Sequence, residues 1–97
     1  MENNFSTSER LCLEMIEVFQ KYANTTPEYP EALKHTAQLY ERAQLYEKAV
    51  EYYKTARTIA YQVNGFGEQF DVINFMLEEA KTKMAWANPK KNDQNGQ

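Results

Sequence analysis

The single histidine and the single cysteine are the residues of this chain best suited to catalysis or metal binding. His35 follows Glu31 by four residues, so on a helix the two side chains would share a face and could form half of a carboxylate–histidine metal site. Such a site needs several converging ligands, and the chain has no second histidine. Cys12 could act as a nucleophile with His35, but a lone cysteine on an apolar helix face is typically a small core residue. We therefore predict no catalytic residue, no metal and no cofactor.

The segment Asn64-Gly65-Phe66-Gly67 does not match a phosphate-binding loop. Such a loop follows a strand and carries a lysine at a defined glycine spacing, and the segment has neither feature. It is typical of a turn between helices, with Gly65 as a left-handed cap. Because no acid, base, nucleophile and metal ligands converge in the pattern, we expect that the protein is not an enzyme, and a helical-bundle enzyme is the disfavoured alternative.

Composition argues against several classes of function. The chain has 97 residues, a net charge of -3 and a pI near 5.2, whereas a nucleic-acid-binding surface needs a basic face. One cysteine rules out an internal disulfide framework and fits a reducing compartment. The segment MENNFSTSER lacks the regions of a secretory signal, and no apolar run approaches the roughly 20 residues that cross a bilayer. These features predict a cytoplasmic protein that contacts neither nucleic acid nor membrane.

Apolar residues recur at helical spacing along most of the chain, with few breakers and no alternating strand pattern, so the predicted fold class is all-α. Four helices are predicted, packed as two antiparallel pairs: residues 8–23, 30–43, 46–63 and 68–87. Ser6 and Glu9 are predicted to form a capping box at the start of the first helix. The expected organisation is a flexible arm, a single domain and a disordered tail: residues 1–5, 6–87 and 88–97.

The predicted core takes apolar side chains from all four helices. The stripe of the first helix includes Leu11 and Met15, and the later stripes alternate alanines with bulky residues. The predicted core residues are Leu11, Met15, Phe19, Leu33, Ala37, Tyr40, Ala49, Tyr53, Ala56, Ile59, Phe70, Ile73 and Leu77.

Residues 30–61 carry a more specific pattern. Small and bulky side chains alternate at helical spacing on both sides of a break at residues 43–45, which lets two helices approach closely. The pattern consists of Leu33, Ala37, Tyr40, Tyr46, Ala49, Tyr53 and Ala56. It resembles one tetratricopeptide repeat, whose period is about 34 residues, and one period before Tyr53 lies Phe19, so the first helix resembles the second half of a preceding repeat. The resemblance implies antiparallel helix pairs and a protein-binding module, although Gln44 replaces the small residue that is usual in the turn.

The resemblance also implies where a partner would bind. In tetratricopeptide arrays the first helix of each pair lines a concave groove, on which Lys34 and Gln38 would lie. Lys34 resembles one element of a clamp for a C-terminal carboxylate, but Gln38 replaces the usual asparagine and the other basic residues of the clamp are missing. Tyr52 and Tyr61 are predicted as surface anchors, because Tyr52 points about 100° away from the packing residue Tyr53.

The fourth helix has apolar residues on more sides than one small bundle can cover. Phe75, Met76 and Trp86 lie outside the stripe that would face the core. Exposed apolar patches of this kind mark interaction surfaces, and methionine and tryptophan suit such surfaces. We expect these three residues to anchor a homodimer or a complex with another protein.

The expected function is a small protein–protein interaction module, acting as an adaptor, a chaperone or an inhibitor, that binds another protein or peptide through helical surfaces. One alternative is a resemblance to the microtubule-interacting-and-trafficking domain, a three-helix bundle that binds a partner helix. That alternative requires three core helices with the first helix detached, and Glu78-Glu79-Ala80-Lys81 is compatible with it. Another alternative is a small helical regulator or inhibitor of a nucleic-acid-acting complex.

Overall fold

The computed structural model describes residues 4–87, which form four α-helices and no strand, so the prediction of an all-α fold is confirmed. The helices are α1 (Asn4–Tyr22), α2 (Glu28–Arg42), α3 (Tyr46–Asn64) and α4 (Glu68–Ala87). The predicted tail at residues 88–97 and the first three residues of the predicted arm lie outside the described residues. None of the four helices combines the length and the apolarity that a bilayer span requires.

The helix α1 begins earlier than predicted, at Asn4. Phe5 lies in its first turn, and its ring packs edge-on against Tyr40, with the centroids 6.1 Å apart. Ser6 therefore lies inside the helix, and the predicted capping box is wrong. Glu9 instead accepts a hydrogen bond from the Tyr40 hydroxyl, with 2.7 Å between Oε2 and the hydroxyl oxygen. Two contacts with Tyr40 thus hold the start of α1 against α2.

The helices pack in chain order, α1 on α2, α2 on α3 and α3 on α4. At the contact of α2 and α3, Ala37, Ala49 and Ala56 are fully buried, which allows the close approach that the pattern of small residues predicts. Tyr40 and Tyr53 fill the spaces beside them. The predicted core residues confirmed as buried are Leu33, Ala37, Tyr40, Ala49, Tyr53, Ala56, Ile73 and Leu77. Phe19 and Ile59 are half-buried and pack against this core. Phe70, also predicted for the core, is half-buried and contacts the rings of Tyr61 and Phe66 instead.

The predicted core contribution of α1 is wrong for two residues, because Leu11 and Met15 are exposed. The inward face of α1 lies one residue further along the chain, where Phe5, Ile16 and Phe19 pack against the core. Successive residues of a helix differ by about 100° in direction, so this is a different side of α1. No residue of α1 is buried. The helix therefore rests on α2 and the core by one half-buried face.

Two turns require a positive φ angle. Gln44, between α2 and α3, has φ 64°, a left-handed conformation that costs a residue with a Cβ roughly 1–2 kcal/mol. Its amide donates to the Glu41 carbonyl, and the Leu45 amide donates to the Tyr40 carbonyl, so the turn closes α2 despite the cost. Gly65, between α3 and α4, has φ 69° and ψ -153°, a region essentially restricted to glycine. The positive φ was expected from the sequence, but this ψ differs from that of the predicted left-handed cap.

Candidate interaction surfaces

The polar face of α2 that was predicted to line a groove is in contact with α4. At one end, Gln69 Nε2 donates to the Pro27 carbonyl over 2.9 Å and to Glu31 Oε2 over 3.1 Å. At the other end, Lys83 Nζ donates to Glu41 Oε2 over 2.6 Å. These contacts fasten α4 along α2, so the face is engaged at both ends by the chain itself.

Lys34 and Gln38 lie on this face. The Lys34 side chain is only 16% exposed, and its Nζ lies 3.0 Å from Glu31 Oε1. Burial alone would raise the pKa of Glu31, but hydrogen bonds from Gln69 and Lys34 and the positive charges of Lys34 and His35 lower it below its ordinary value. Gln38 is half-buried. Lys34 is thus already paired with a carboxylate of its own helix, whereas a lysine that binds the C-terminal carboxylate of a partner would have to be accessible to it.

Tyr53, Glu41 and Lys83 form a connected chain of hydrogen bonds across three helices. The Tyr53 hydroxyl donates to Glu41 Oε1 over 2.8 Å, while Lys83 holds the other oxygen of the same carboxylate. Burial and the Glu41 carboxylate raise the pKa of Tyr53, and the hydrogen bond to Glu41 raises the pKa of Lys83. Tyr53 therefore stays neutral and Lys83 stays charged. Through Glu41, Tyr53 links α3 to α2 and Lys83 links α4 to α2.

The two tyrosines predicted as surface anchors differ in their surroundings. Tyr52 is half-buried, and its ring lies 5.4 Å from that of Tyr40, so it belongs largely to the core cluster. Tyr61 is exposed, and its ring lies 4.7 Å from that of Phe66 and 6.3 Å from that of Phe70. Only Tyr61 therefore presents an aromatic surface as predicted, within a cluster at the turn between α3 and α4.

The outer side of α4 carries an apolar row that we call the α4 stripe, formed by Val72, Phe75 and Trp86. Phe75 is 63% exposed and Trp86 is 80% exposed. Eleven positions separate them, about three helical turns, so they point in nearly the same direction. Met76, the third predicted anchor, is half-buried and packs against the core because it points about 100° away from Phe75. Two of the three residues predicted as anchors are thus exposed on the α4 stripe, and their role as anchors stays a prediction.

A second apolar row was missed as a surface. It comprises Leu11, Met15, Val18 and Tyr22, which we call the α1 stripe, and its exposure ranges from 49% for Met15 to 80% for Tyr22. The sequence contains two adjacent helical stripes in α1, and the period alone cannot say which one faces inward. Neither row of α1 contains an alanine, in contrast to α2 and α3, so the sequence offers no signal that distinguishes the outer row from the inner one.

The residues proposed for chemistry do not converge. The His35 side chain is 64% exposed, and its Nε2 lies 3.7 Å from Glu31 Oε1, while Cys12 lies half-buried in α1. Residues 4–87 contain no group of three or more side chains able to hold a metal ion. A cleft of about 430 Å³ opens between the end of α1 and the end of α3. Its lining is made of amide, hydroxyl and apolar side chains: Gln20, Asn24, Thr25, Tyr29, Ile59, Gln62 and Val63. That lining offers no carboxylate, imidazole, thiol or amine.

Comparisons with known protein families, with curated proteins and with solved structures found no match to this chain.

Proposed function

We propose that this protein is a non-catalytic interaction module whose α4 stripe binds an amphipathic helical segment of another protein. The observation that carries the proposal is the pair Phe75 and Trp86, which are largely exposed on one line of a helix whose opposite side is fully buried. Aromatic residues dominate the energy of many protein interfaces, and two aromatic anchors about three turns apart on one side of α4 fit a partner helix that lies along it.

The charges around the α4 stripe favour a basic partner. Exposed carboxylates at i-7, i-4, i+3 and i+4 relative to Phe75 share its side of the helix: Glu68, Asp71, Glu78 and Glu79. Glu78 already pairs with Lys81, and Lys83 pairs with Glu41, so Glu68, Asp71 and Glu79 carry the negative charge that faces a partner. A partner helix that places lysine or arginine on both sides of an apolar row would therefore complement this face.

The inner side of α4 supports a rigid binding surface. Ile73, Leu77 and Ala80 are fully buried, and Gln69 and Lys83 bind α2 near the two ends of the helix. The α4 stripe is thus held in place before any partner arrives, which lowers the entropic cost of association.

Trp86 provides a direct test, because it is the only tryptophan. We would titrate the protein with a synthetic amphipathic peptide that carries a leucine row flanked by lysine and arginine, and follow the fluorescence of Trp86. The expected result is a saturable blue shift that weakens at high salt and is lost in Phe75→Ser. The same peptide with glutamate flanks is the control. No shift up to about 1 mM peptide, or equal binding of the glutamate peptide, would contradict the proposal.

The three-helix alternative is supported by one observation, namely that every buried residue within the described range 4–87 belongs to α2, α3 or α4. The tetratricopeptide-like arrangement is supported by helix packing in chain order and by the alanines between α2 and α3. Both arrangements are consistent with a helical partner and with an adaptor or chaperone role. A lone cysteine fits a reducing compartment, so we propose that the protein acts in the cytoplasm.

A further inference from the structure

We propose that the α1 stripe is covered by a second copy of the chain, whose α1 lies antiparallel to the first. This inference concerns a different helix from the α4 stripe and does not depend on the partner proposed for it. It commits to a homodimer in which four side chains of each copy interlock: Leu11, Met15, Val18 and Tyr22.

The spacing of the α1 stripe reads the same in both directions. Its steps are four, three and four residues, symmetric about the midpoint between Ile16 and Glu17. A second α1 that runs antiparallel about this midpoint places Tyr22 of one copy opposite Leu11 of the other, and Val18 opposite Met15. Steps of four and three residues are those of helices that pack side by side with knobs in holes. Each stripe therefore supplies the complementary surface for the other.

Charge selects the antiparallel direction. Ile16 and Phe19 each come one residue after a member of the α1 stripe, and they lie on the flank of the stripe that faces the core. Glu14 and Lys21 each come one residue before a member of the stripe, so they lie on the opposite flank. In an antiparallel pair this flank meets the same flank of the second copy, which brings Glu14 beside Lys21 of the second copy, twice per dimer. A parallel pair would instead bring Glu14 toward the core-facing flank near Phe19, where no cation lies.

The contacts within one chain leave Glu14 available for this role. Among residues 4–87, Glu14 forms an ion pair with Arg10 alone, at 3.9 Å between Oε2 and Nη1, and both side chains are more than half exposed. A pair of this length and exposure contributes little to stability, so Glu14 can turn to a lysine of another copy at small cost.

The exposure of apolar side chains on α1 in a single copy also favours an interface at this helix. The helix has no buried residue, although it carries two apolar rows. Four exposed side chains in one row form a patch of the kind that marks interaction sites. The interface would be small, below about 1,200 Å² in total, so we expect dissociation in the micromolar range.

Sedimentation velocity over a range of concentrations tests the dimer. Val18→Asp, at an exposed site of the α1 stripe, should weaken dimerisation by about a hundredfold or more, because it places a carboxylate opposite Met15 of the second copy. Leu13→Asp is the matched control, since Leu13 is an exposed apolar residue of the same helix outside the stripe, and this variant should dimerise like the wild type. Circular dichroism checks that both variants remain folded.

A charge swap tests the antiparallel register. Glu14→Lys alone and Lys21→Glu alone should each weaken the dimer by about tenfold, because like charges then meet twice, while the double variant Glu14→Lys/Lys21→Glu should recover wild-type affinity. A wild type that stays monomeric up to about 1 mM would overturn the proposal. So would a dimer that Phe75→Asp dissociates and Val18→Asp does not, or a double variant no better than the single ones.

Discussion

The α2–α3 hairpin and the α1 helix are both amphipathic, yet only one of them builds a core. In the hairpin, fully buried alanines bring two backbones together and Tyr40 and Tyr53 fill the gaps. In α1, large side chains occupy two adjacent rows, one half-buried and one exposed, and no residue is buried. The difference indicates that close packing here depends on small residues at the helix contact, and that a helix without them remains peripheral and leaves an apolar row exposed.

The largest expected effect is at the hairpin contact. Ala49→Arg should destabilise the fold by about 4 kcal/mol or more, because a long charged side chain would overpack a fully buried site and lose its hydration. Thr58→Arg, at an exposed site of the same helix, is the control and should be nearly neutral. Urea unfolding followed by circular dichroism measures both. An Ala49→Arg variant as stable as the wild type would show that Ala49 is not buried at the contact between α2 and α3.

One substitution made in each region compares them directly. Tyr53→Ala should cost about 3–5 kcal/mol, since it opens a cavity and removes the hydrogen bond to Glu41. Tyr22→Ala should change the stability of the monomer by less than about 0.5 kcal/mol, because Tyr22 is exposed. Both values come from urea unfolding at a concentration below that of dimerisation. Similar costs for the two tyrosines would remove the distinction between the regions.

The orientation of α1 can be tested with two neighbouring residues. Ile16→Ala should cost about 1–2 kcal/mol, because Ile16 packs against the core while remaining half-buried. Met15→Ala should cost less than about 0.5 kcal/mol in the monomer, since Met15 is exposed. The same unfolding assay applies. A larger cost for Met15 than for Ile16 would mean that α1 is rotated by one residue relative to the structure.

A smaller gain is expected in the turn of the hairpin. Gln44→Gly should stabilise the protein by about 0.5 kcal/mol, because glycine adopts φ 64° without the penalty of a Cβ but loses more backbone entropy on folding. Gln44→Ala retains the Cβ and should show no gain. Thermal melts of both variants measure the difference, and equal melting temperatures would argue against backbone strain in this turn.

The smallest expected effect is on the pH dependence of stability, through Glu31 of α2, which binds Gln69 of α4. The lowered pKa of Glu31 means that the folded state favours its carboxylate, so its contribution to stability is full above the ordinary value of 4.5 and is lost as pH falls through the lowered pKa. Glu31→Gln should slightly reduce stability near neutral pH and flatten its decline below 4.5. Unfolding curves across acidic pH measure this slope, and an unchanged slope would exclude a role for Glu31.

Most of the fold could be predicted from residue types because the hairpin pattern is unambiguous. Alanines and tyrosines at positions such as Ala49 and Tyr53 define a single apolar face, and the prediction there is confirmed. In α1 the two rows differ in position by one residue, and both Met15 and Ile16 are apolar, so local sequence gives no reason to prefer either. The choice depends on which side chains can reach Tyr40 and the core, which is tertiary information.

The candidate surfaces were predictable only in part. Phe75 and Trp86 could be expected to be exposed because α4 has more apolar residues than one bundle can bury. Lys34 could not be excluded as a binding residue, because its pairing with Glu31 is one of several local options and the contact of Gln69 with that carboxylate depends on how α4 lies on α2. The exposure of the α1 stripe follows from the orientation of α1 and was therefore missed with it.

Amide hydrogen exchange at low and high protein concentration tests the central contrast most directly. We predict that, in the monomer, amides of α1 exchange well before the central amides of α2, α3 and α4, because no side chain of α1 is buried. At high concentration the protection of α1 should rise while that of the other three helices changes little, as the second copy covers the α1 stripe. Protection of α1 equal to that of α3 at every concentration would contradict both its peripheral position and its role as an interface.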